Sequence, residues 1–363
     1  MTRILYGVQG TGNGHITRAR AMAKAMADQG LAVDYLFSGR EPDQFFDMEP
    51  FGDYRLCKGL TLAIEAGRLR SFGTLRKFAP RRLLNEIRAL DLSPYDLVLT
   101  DFEPVTAWAA RLRNKPCVGI GHQYAFRYPV PRPDGNYHQR LLLRWTAPAD
   151  TCLGLHWYHF DAPLLPPVAP VPELGSEQDA RLIVVYLPFE TPAAINALLR
   201  PFADFRFAVY HPDADEVAAC AAHIHWQRPN RHGFHQELAR SGGVICSAGF
   251  ELASEALQLG IKLLVKPVRG QSEQHANAMA LVQLGVGYTM DRLDGARVRD
   301  WLEGGRAARV RYPDVAAAIA RWIAAGHRPQ DIQTLSATLW RTTRFPDVPL
   351  FPPLEMHPVG SEP

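Results

Sequence analysis

Residues 243–278 hold the pattern that most constrains what this chain can fold into. A short apolar run ends at Ser247, a glycine follows at 249, and helical composition runs from Phe250 to Gly260. A second apolar run covers 261–267, and a polar loop then opens another helix at Glu273 and Gln274. An apolar run this short, bounded by glycines, suits a buried parallel strand. Gly249 lets the backbone turn sharply into the helix. The first N–H groups of that helix have no partner within it, and they point the positive end of its dipole at whatever lies above the strand. Phosphate is the group such an end receives. Glu255, inside this unit, can accept two hydrogen bonds from a vicinal diol such as a ribose. Glu273 and Gln274 offer an acid and an amide to sugar hydroxyls. Diphosphate, ribose and sugar are the parts of a nucleotide sugar. An ordinary strand–helix–strand unit with a surface glutamate explains the periodicity, but not Glu255, Glu273, Gln274 and Asn277 falling together.

The first half opens with a similar rhythm. A strand is expected over 3–9, a glycine-rich loop over 10–15, a helix over 17–29 and a strand over 31–37. Ala19, Met22, Ala23 and Met26 carry the apolar face of that helix, and Gly30 stops it. The loop is not the dinucleotide fingerprint, because after Gly10 and Gly12 the third glycine should stand where His15 does. A nicotinamide enzyme is therefore disfavoured, although Asp34 lies near the distance at which a ribose is held. A histidine titrates near neutral pH and can take a proton from a hydroxyl. Equally, His15 could orient the loop or contact phosphate. The strand expected over 95–100 ends at Asp101, and polar residues at that end of a parallel strand face the ligand crevice. Asp101 is thus placed to orient His15. A further strand over 117–121 ends at His122, Gln123 and Tyr124, which either line the cleft or pack the loop.

A proline-rich linker over 161–172 divides the chain, and 181–188 opens the second unit. The 363 residues suffice for two domains, and 47% hydrophobic content can fill two cores. The expected division is 1–165, 166–330 and a tail over 331–363. No run approaches the roughly 20 apolar residues of a membrane span, and the start is unlike a signal peptide. The five cysteines show no Cys-x-x-Cys spacing and read as buried thiols of a reducing compartment. A net charge of +3 gives no reason to expect nucleic acid. Residues 68–88 mix Arg68, Arg70, Arg76, Lys77, Arg81, Arg82 and Arg88 with bulky apolar side chains. That composition fits either an anionic membrane surface or a core-facing helix with a solvated basic side. His223, His225, His232 and His235 read as strand and loop residues, and no metal cluster is expected.

The residues Ser247, Gly249, Phe250, Ser254, Glu255, Pro267, Glu273, Gln274 and Asn277 resemble the donor-binding signature of GT-B glycosyltransferases. The likeness is greatest to enzymes similar to the family 28 lipid II N-acetylglucosaminyltransferase. The loop at Gly12, Asn13, Gly14 and His15 is similar to that family's glycine-rich first loop, with Asn13 in place of a glycine. The resemblance implies an α/β fold of two Rossmann-like domains facing across a cleft. It implies that Gly249 and Phe250 offer backbone to the diphosphate, that Glu255 binds ribose, and that Glu273 and Gln274 bind the donor sugar. Ser247, Gly12, Asn13 and Gly14 are expected at the donor as well. It further implies glycosyl transfer from a nucleoside-diphosphate sugar, UDP-linked, with inversion and with neither metal nor cofactor. His15 and Asp101 correspond to the base and orienter of related enzymes. The basic stretch 68–88 adds the expectation of a lipid-linked acceptor and a peripheral position on the cytoplasmic membrane face. A UDP-sugar 2-epimerase, a non-catalytic nucleotide-sugar binder and a nucleic-acid binder are the alternative readings.

Overall fold

The computed structural model describes residues 2–45, 47–60, 64–65, 68–69, 79–133, 145–169, 178–217 and 220–346. In the first half the strands are β1 (Arg3–Gln9), β2 (Ala32–Ser38), β3 (Arg55–Leu56), β6 (Leu97–Asp101), β7 (Cys117–Gly121) and β8 (Thr151–Gly154). Between β3 and β6 lies a small antiparallel pair, β4 (Ile64–Glu65) and β5 (Arg68–Leu69). The main sheet has the order β3-β2-β1-β6-β7-β8 and is parallel throughout. Helices α1 (Asn13–Asp28), α2 (Pro80–Ala89) and α3 (Pro104–Leu112) accompany it.

The second half repeats the plan with β9 (Asp179–Tyr186), β10 (Arg206–Tyr210), β11 (Ile224–Gln227), β12 (Ser241–Ser247), β13 (Lys262–Lys266) and β14 (Tyr288–Thr289). Their order is β11-β10-β9-β12-β13-β14, again parallel. Its helices are α4 (Pro192–Leu199), α5 (Arg231–Arg240), α6 (Phe250–Leu259), α7 (Ser272–Gln283) and α8 (Gly295–Gly304). Each sheet thus places its first strand at the centre, with the strand order reversing beside it. Ligands of doubly wound sheets bind outside the strand ends at that reversal. In this chain it lies between β1 and β6, and between β9 and β12.

The second sheet is buried on both faces, as parallel sheets are. Ile183, Val185, Phe207, Val209, Ile245 and Leu264 pack on Trp301, while Val184, Val244, Leu263 and Val265 face a core that also takes in Met22 and Met26 of α1. Two last helices, α9 (Val315–Ala324) and α10 (Ile332–Thr342), lie against the first half. α9 packs on α1, and the Ser336 hydroxyl and Trp340 indole of α10 both donate to the Leu164 carbonyl, at 2.6 and 2.7 Å. No helix among the described residues is long and apolar enough to cross a membrane. Cys117 and Cys246 are buried, Cys57 and Cys152 half-buried and Cys220 exposed, so burial of the thiols holds only in part.

Helix α1 begins at Asn13, four residues before the expected Thr17. Two glycines at 12 and 14 read locally as loop. In the fold, packing of Ile16, Ala19, Met22 and Met26 outweighs that propensity and winds the first turn. This brings His15 and Arg18 onto one helical face. Of the basic stretch, 70–78 lie outside the described residues, with Arg70, Arg76 and Lys77. Arg81, Arg82, Leu84 and Arg88 of α2 are exposed, whereas Ile87 is buried and Leu83 packs beside it.

Candidate active site

At the reversal point of the first sheet, α1 starts directly after β1 and Asp101 closes β6. His15 Nδ1 lies 2.6 Å from Asp101 Oδ1. Arg18 grips the same carboxylate with both ends of its fork, Nε to Oδ2 and Nη2 to Oδ1, each at 2.6 Å. The Tyr6 hydroxyl donates to Oδ2 at 3.4 Å. Because an ionised carboxylate only accepts, the shorter contact to Asp101 assigns the proton to His15 Nδ1 and leaves Nε2 as the acceptor, with Arg18 Nη2 also 3.1 Å from Nδ1. Asp101 and Arg18 are almost wholly buried, and His15 keeps 14% of its side chain exposed. Burial would raise the Asp101 carboxyl, but the charges of Arg18 and His15 and their hydrogen bonds outweigh it and hold the group below its ordinary value. Burial likewise works against the Arg18 charge, and Asp101 more than restores it.

In the second half, β12 delivers Ser247 and the chain turns through Ala248 and Gly249 into α6. Gly249 is the N-cap, with extended backbone and no side chain to cap the helix. A Cβ built there would meet nothing within 4 Å. Glu255, on the next turn, is buried, with His235 Nε2 3.6 Å from its Oε2. Gln274 is buried too, and its side-chain oxygen accepts from the Val268 amide at 2.9 Å. Lys266, closing β13, pairs with Glu190 in the loop after β9.

The two halves meet over these ends. Arg18 forms an ion pair with Glu251 in the first turn of α6. Gly14 allows the approach, since a Cβ on it would stand 2.6 Å from Glu251 Oε2. Asn13 donates to the Tyr186 hydroxyl at 3.2 Å and accepts from Arg40 at 3.0 Å. His122 stacks on Phe250, with ring centroids 4.1 Å apart, and its Nε2 lies 2.6 Å from Asn277 Oδ1. Gln123 donates to Glu273 at 3.1 Å. The arrangement sets an imidazole held by a carboxylate near a helix N-terminus free of any side-chain cap. Those are the two groups that displacement of a phosphate leaving group by a hydroxyl requires.

A family model described as glycosyl transferase family 1 matches residues 2–304. The chain belongs to that family. No curated protein matches it. Among solved structures, this glycosyltransferase is similar to LpCGTa in complex with UDP, at 14% identity and a TM-score of 0.57, over 94% of this chain and 99% of that one. The spinosyn rhamnosyltransferase SpnG is similar at 16% identity and a TM-score of 0.56, over 93% and 97%. Glycosyltransferase VinC in complex with dTDP is similar at 13% identity and a TM-score of 0.51, over 94% and 100%. At these identities the likeness is one of fold, and that fold is GT-B.

The glycosyltransferase brings together most of the residues singled out in its sequence. Gly12, Asn13, Gly14, His15 and Asp101 belong to the first half and Ser247, Gly249 and Phe250 to the second, and the halves meet through Arg18–Glu251, Asn13–Tyr186 and His122–Phe250. Glu273 is tied to the first half through Gln123, whereas Glu255 and Gln274 make their contacts within the second half. Sequence reasoning missed Arg18, Glu251 and Tyr186. A signal for Arg18 existed, since an arginine three residues after His15 shares its helical face once the helix begins at Asn13. Nothing local marked Glu251, whose partner lies 233 residues away. His122 and Gln123 lie where the halves meet, His122 against Asn277 and Gln123 against Glu273.

Proposed function

We propose that this glycosyltransferase moves a sugar from a UDP-linked donor to an acceptor hydroxyl, with inversion and without a metal ion or cofactor. The observation that carries the reading is the 2.6 Å contact between His15 and an Asp101 already clamped by Arg18. His15 Nε2 takes the acceptor proton as the acceptor oxygen bonds the anomeric carbon. The bond from that carbon to the diphosphate breaks, and the leaving oxygens take the electron pair. The backbone N–H groups after Gly249 and the dipole of α6 stabilise the departing charge. Glu255 holds the ribose, and Glu273 and Gln274 the sugar. Ser247 and the Gly12–Asn13–Gly14 turn flank the diphosphate. Residues 1–165 serve the acceptor and 166–330 the donor, as in the family 28 enzymes that the signature resembles. The test is a thermal-shift screen of nucleoside diphosphates and their sugars, followed by product analysis with wild type and His15→Ala. UDP should raise the melting temperature of both proteins, since a ligand of the folded state stabilises it. Only wild type should transfer sugar. If UDP and UDP-sugars leave the melting temperature unchanged, the donor assignment fails.

For the acceptor, the proposal is a lipid-linked glycan met at the cytoplasmic membrane face. Arg81, Arg82, Arg88 and Leu84 stand exposed on one helix of the acceptor half, which supports this choice. Co-sedimentation with anionic vesicles should fall as salt screens the arginines, and fall further when Arg81 and Arg82 become Glu. Wild-type protein that stays in the supernatant at low salt would redirect the search to soluble acceptors.

A further inference from the structure

Gln123 lies in the short helical segment after β7, where the two halves meet, and only one end of its amide is accounted for. Nε2 lies 3.1 and 3.3 Å from the two Glu273 oxygens. A carboxylate only accepts, so this contact fixes which end of the amide is nitrogen. The other end, Oε1, is buried without a hydrogen-bond partner, in a residue 8% exposed. Its position follows from Gly121: a Cβ there would lie 3.2 Å from Gln123 Oε1, 3.4 Å from Arg18 Nη2 and 3.6 Å from Asp101 Oδ1. The amide therefore reaches from Glu273 to the His15–Asp101–Arg18 cluster. Arg18 makes no hydrogen bond to the oxygen; its contacts are with Asp101, Glu251 and His15 Nδ1. Leaving such an acceptor buried and unpaired is unfavourable, and native structures rarely do so without a reason. Gln271, the N-cap residue of α7 two positions before Glu273, holds a second buried amide oxygen without a partner. Two buried amide oxygens close to Glu273 along the chain or in contact with it, those of Gln271 and Gln123, thus lack a donor, and a ligand answers them only with O–H or N–H groups.

We propose that Gln123 completes the donor-sugar subsite from the opposite half, its Oε1 accepting a hydrogen bond from a sugar hydroxyl, and that the subsite takes a hydroxyl-rich hexose. This rests on the donor reading above. A site built to pair a hydroxyl discriminates against the analogue lacking it, because its own buried group is then stranded. Calorimetry tests it with UDP, UDP-glucose and the monodeoxy analogues of UDP-glucose, on wild type and Gln123→Met. Wild type should hold UDP-glucose more tightly than UDP. Gln123→Met should lose about 5- to 30-fold in affinity for UDP-glucose with UDP unchanged. One deoxy analogue should be penalised by about tenfold in wild type and not in the variant. If Gln123→Met fails to fold, Gln123→Asn, which withdraws the amide by one carbon, should show the same pattern. Equal losses for UDP and UDP-glucose, unchanged affinity for both, or no analogue whose penalty vanishes would overturn the assignment. Wild type that binds neither UDP nor UDP-glucose would instead bring down the donor reading beneath it.

Discussion

The stretch from β6 into α3 and the stretch from β12 into α6 occupy the same place in their sheets, and they treat the helix that follows in opposite ways. In the first half Glu103 is the N-cap. Its buried carboxylate accepts from the amides of Val105 at 2.9 Å and Thr106 at 2.6 Å, and from the Ser38 and Thr106 hydroxyls. In the second half Gly249 stands at the N-cap and provides no acceptor. After the fourth strand one half spends its helix N-terminus on its own side chain, and the other leaves the N–H groups and dipole of α6 without a side-chain acceptor. The contact between His15 and Asp101 lies in the half whose β6–α3 turn is capped by its own side chain. Shared topology therefore does not fix how the helix after the fourth strand is capped; the residue at the N-cap does.

Four measurements would break or sharpen this contrast. The largest effect is expected at the base. His15→Ala should lower kcat by about 10²- to 10⁴-fold while calorimetry still finds donor binding, which separates chemistry in one half from binding in the other. Next comes a transplant of the cap. Gly249→Asp gives α6 the acidic cap that α3 has, and it should weaken UDP binding by about 10- to 100-fold while stability holds or rises slightly. Undiminished UDP affinity in that variant would mean that α6 does not receive the diphosphate. The reverse change, Glu103→Ala, should cost about 1–2 kcal/mol in denaturant unfolding and leave UDP affinity alone.

The smallest effect is a difference in pH dependence between two carboxylates of one half. Asp101 is held below its ordinary value, so its contribution to stability is present above the usual carboxylate range and is lost as pH falls through the lowered folded value. Burial raises Glu103 above its ordinary value despite its bonds to Thr106, Ser38 and Val105. Its contribution is therefore largest below the usual range and declines as pH rises towards the raised folded value. Unfolding curves from pH 3 to 7 should flatten on the acid side in Asp101→Asn, and lose the opposing slope in Glu103→Gln. If both variants shift stability with pH in the same sense, the two environments differ less than their contacts imply.

Much of the fold was legible because it repeats in local terms. Apolar runs bounded by glycines at 3–9 and 243–247 mark buried parallel strands, and Gly249 marks the turn into α6. The elements most nearly missed were those where tertiary packing overrides composition, as in the first turn of α1. His15, Asp101 and the donor signature were visible because glycine turns and strand ends announce them.

The sequence by itself determined two α/β halves and which strand ends carry titratable side chains, since periodicity and turn chemistry are local properties. Only the tertiary structure decided that Arg18 holds Asp101, that Glu251 and Glu273 are gripped from the opposite half, and that Gln123 keeps one buried oxygen unpaired. These pairings join residues 83 to 233 positions apart. Any acid can pair with any arginine or amide as far as composition is concerned. The choice is made by where the helices of one sheet, and the two sheets, come to rest against each other.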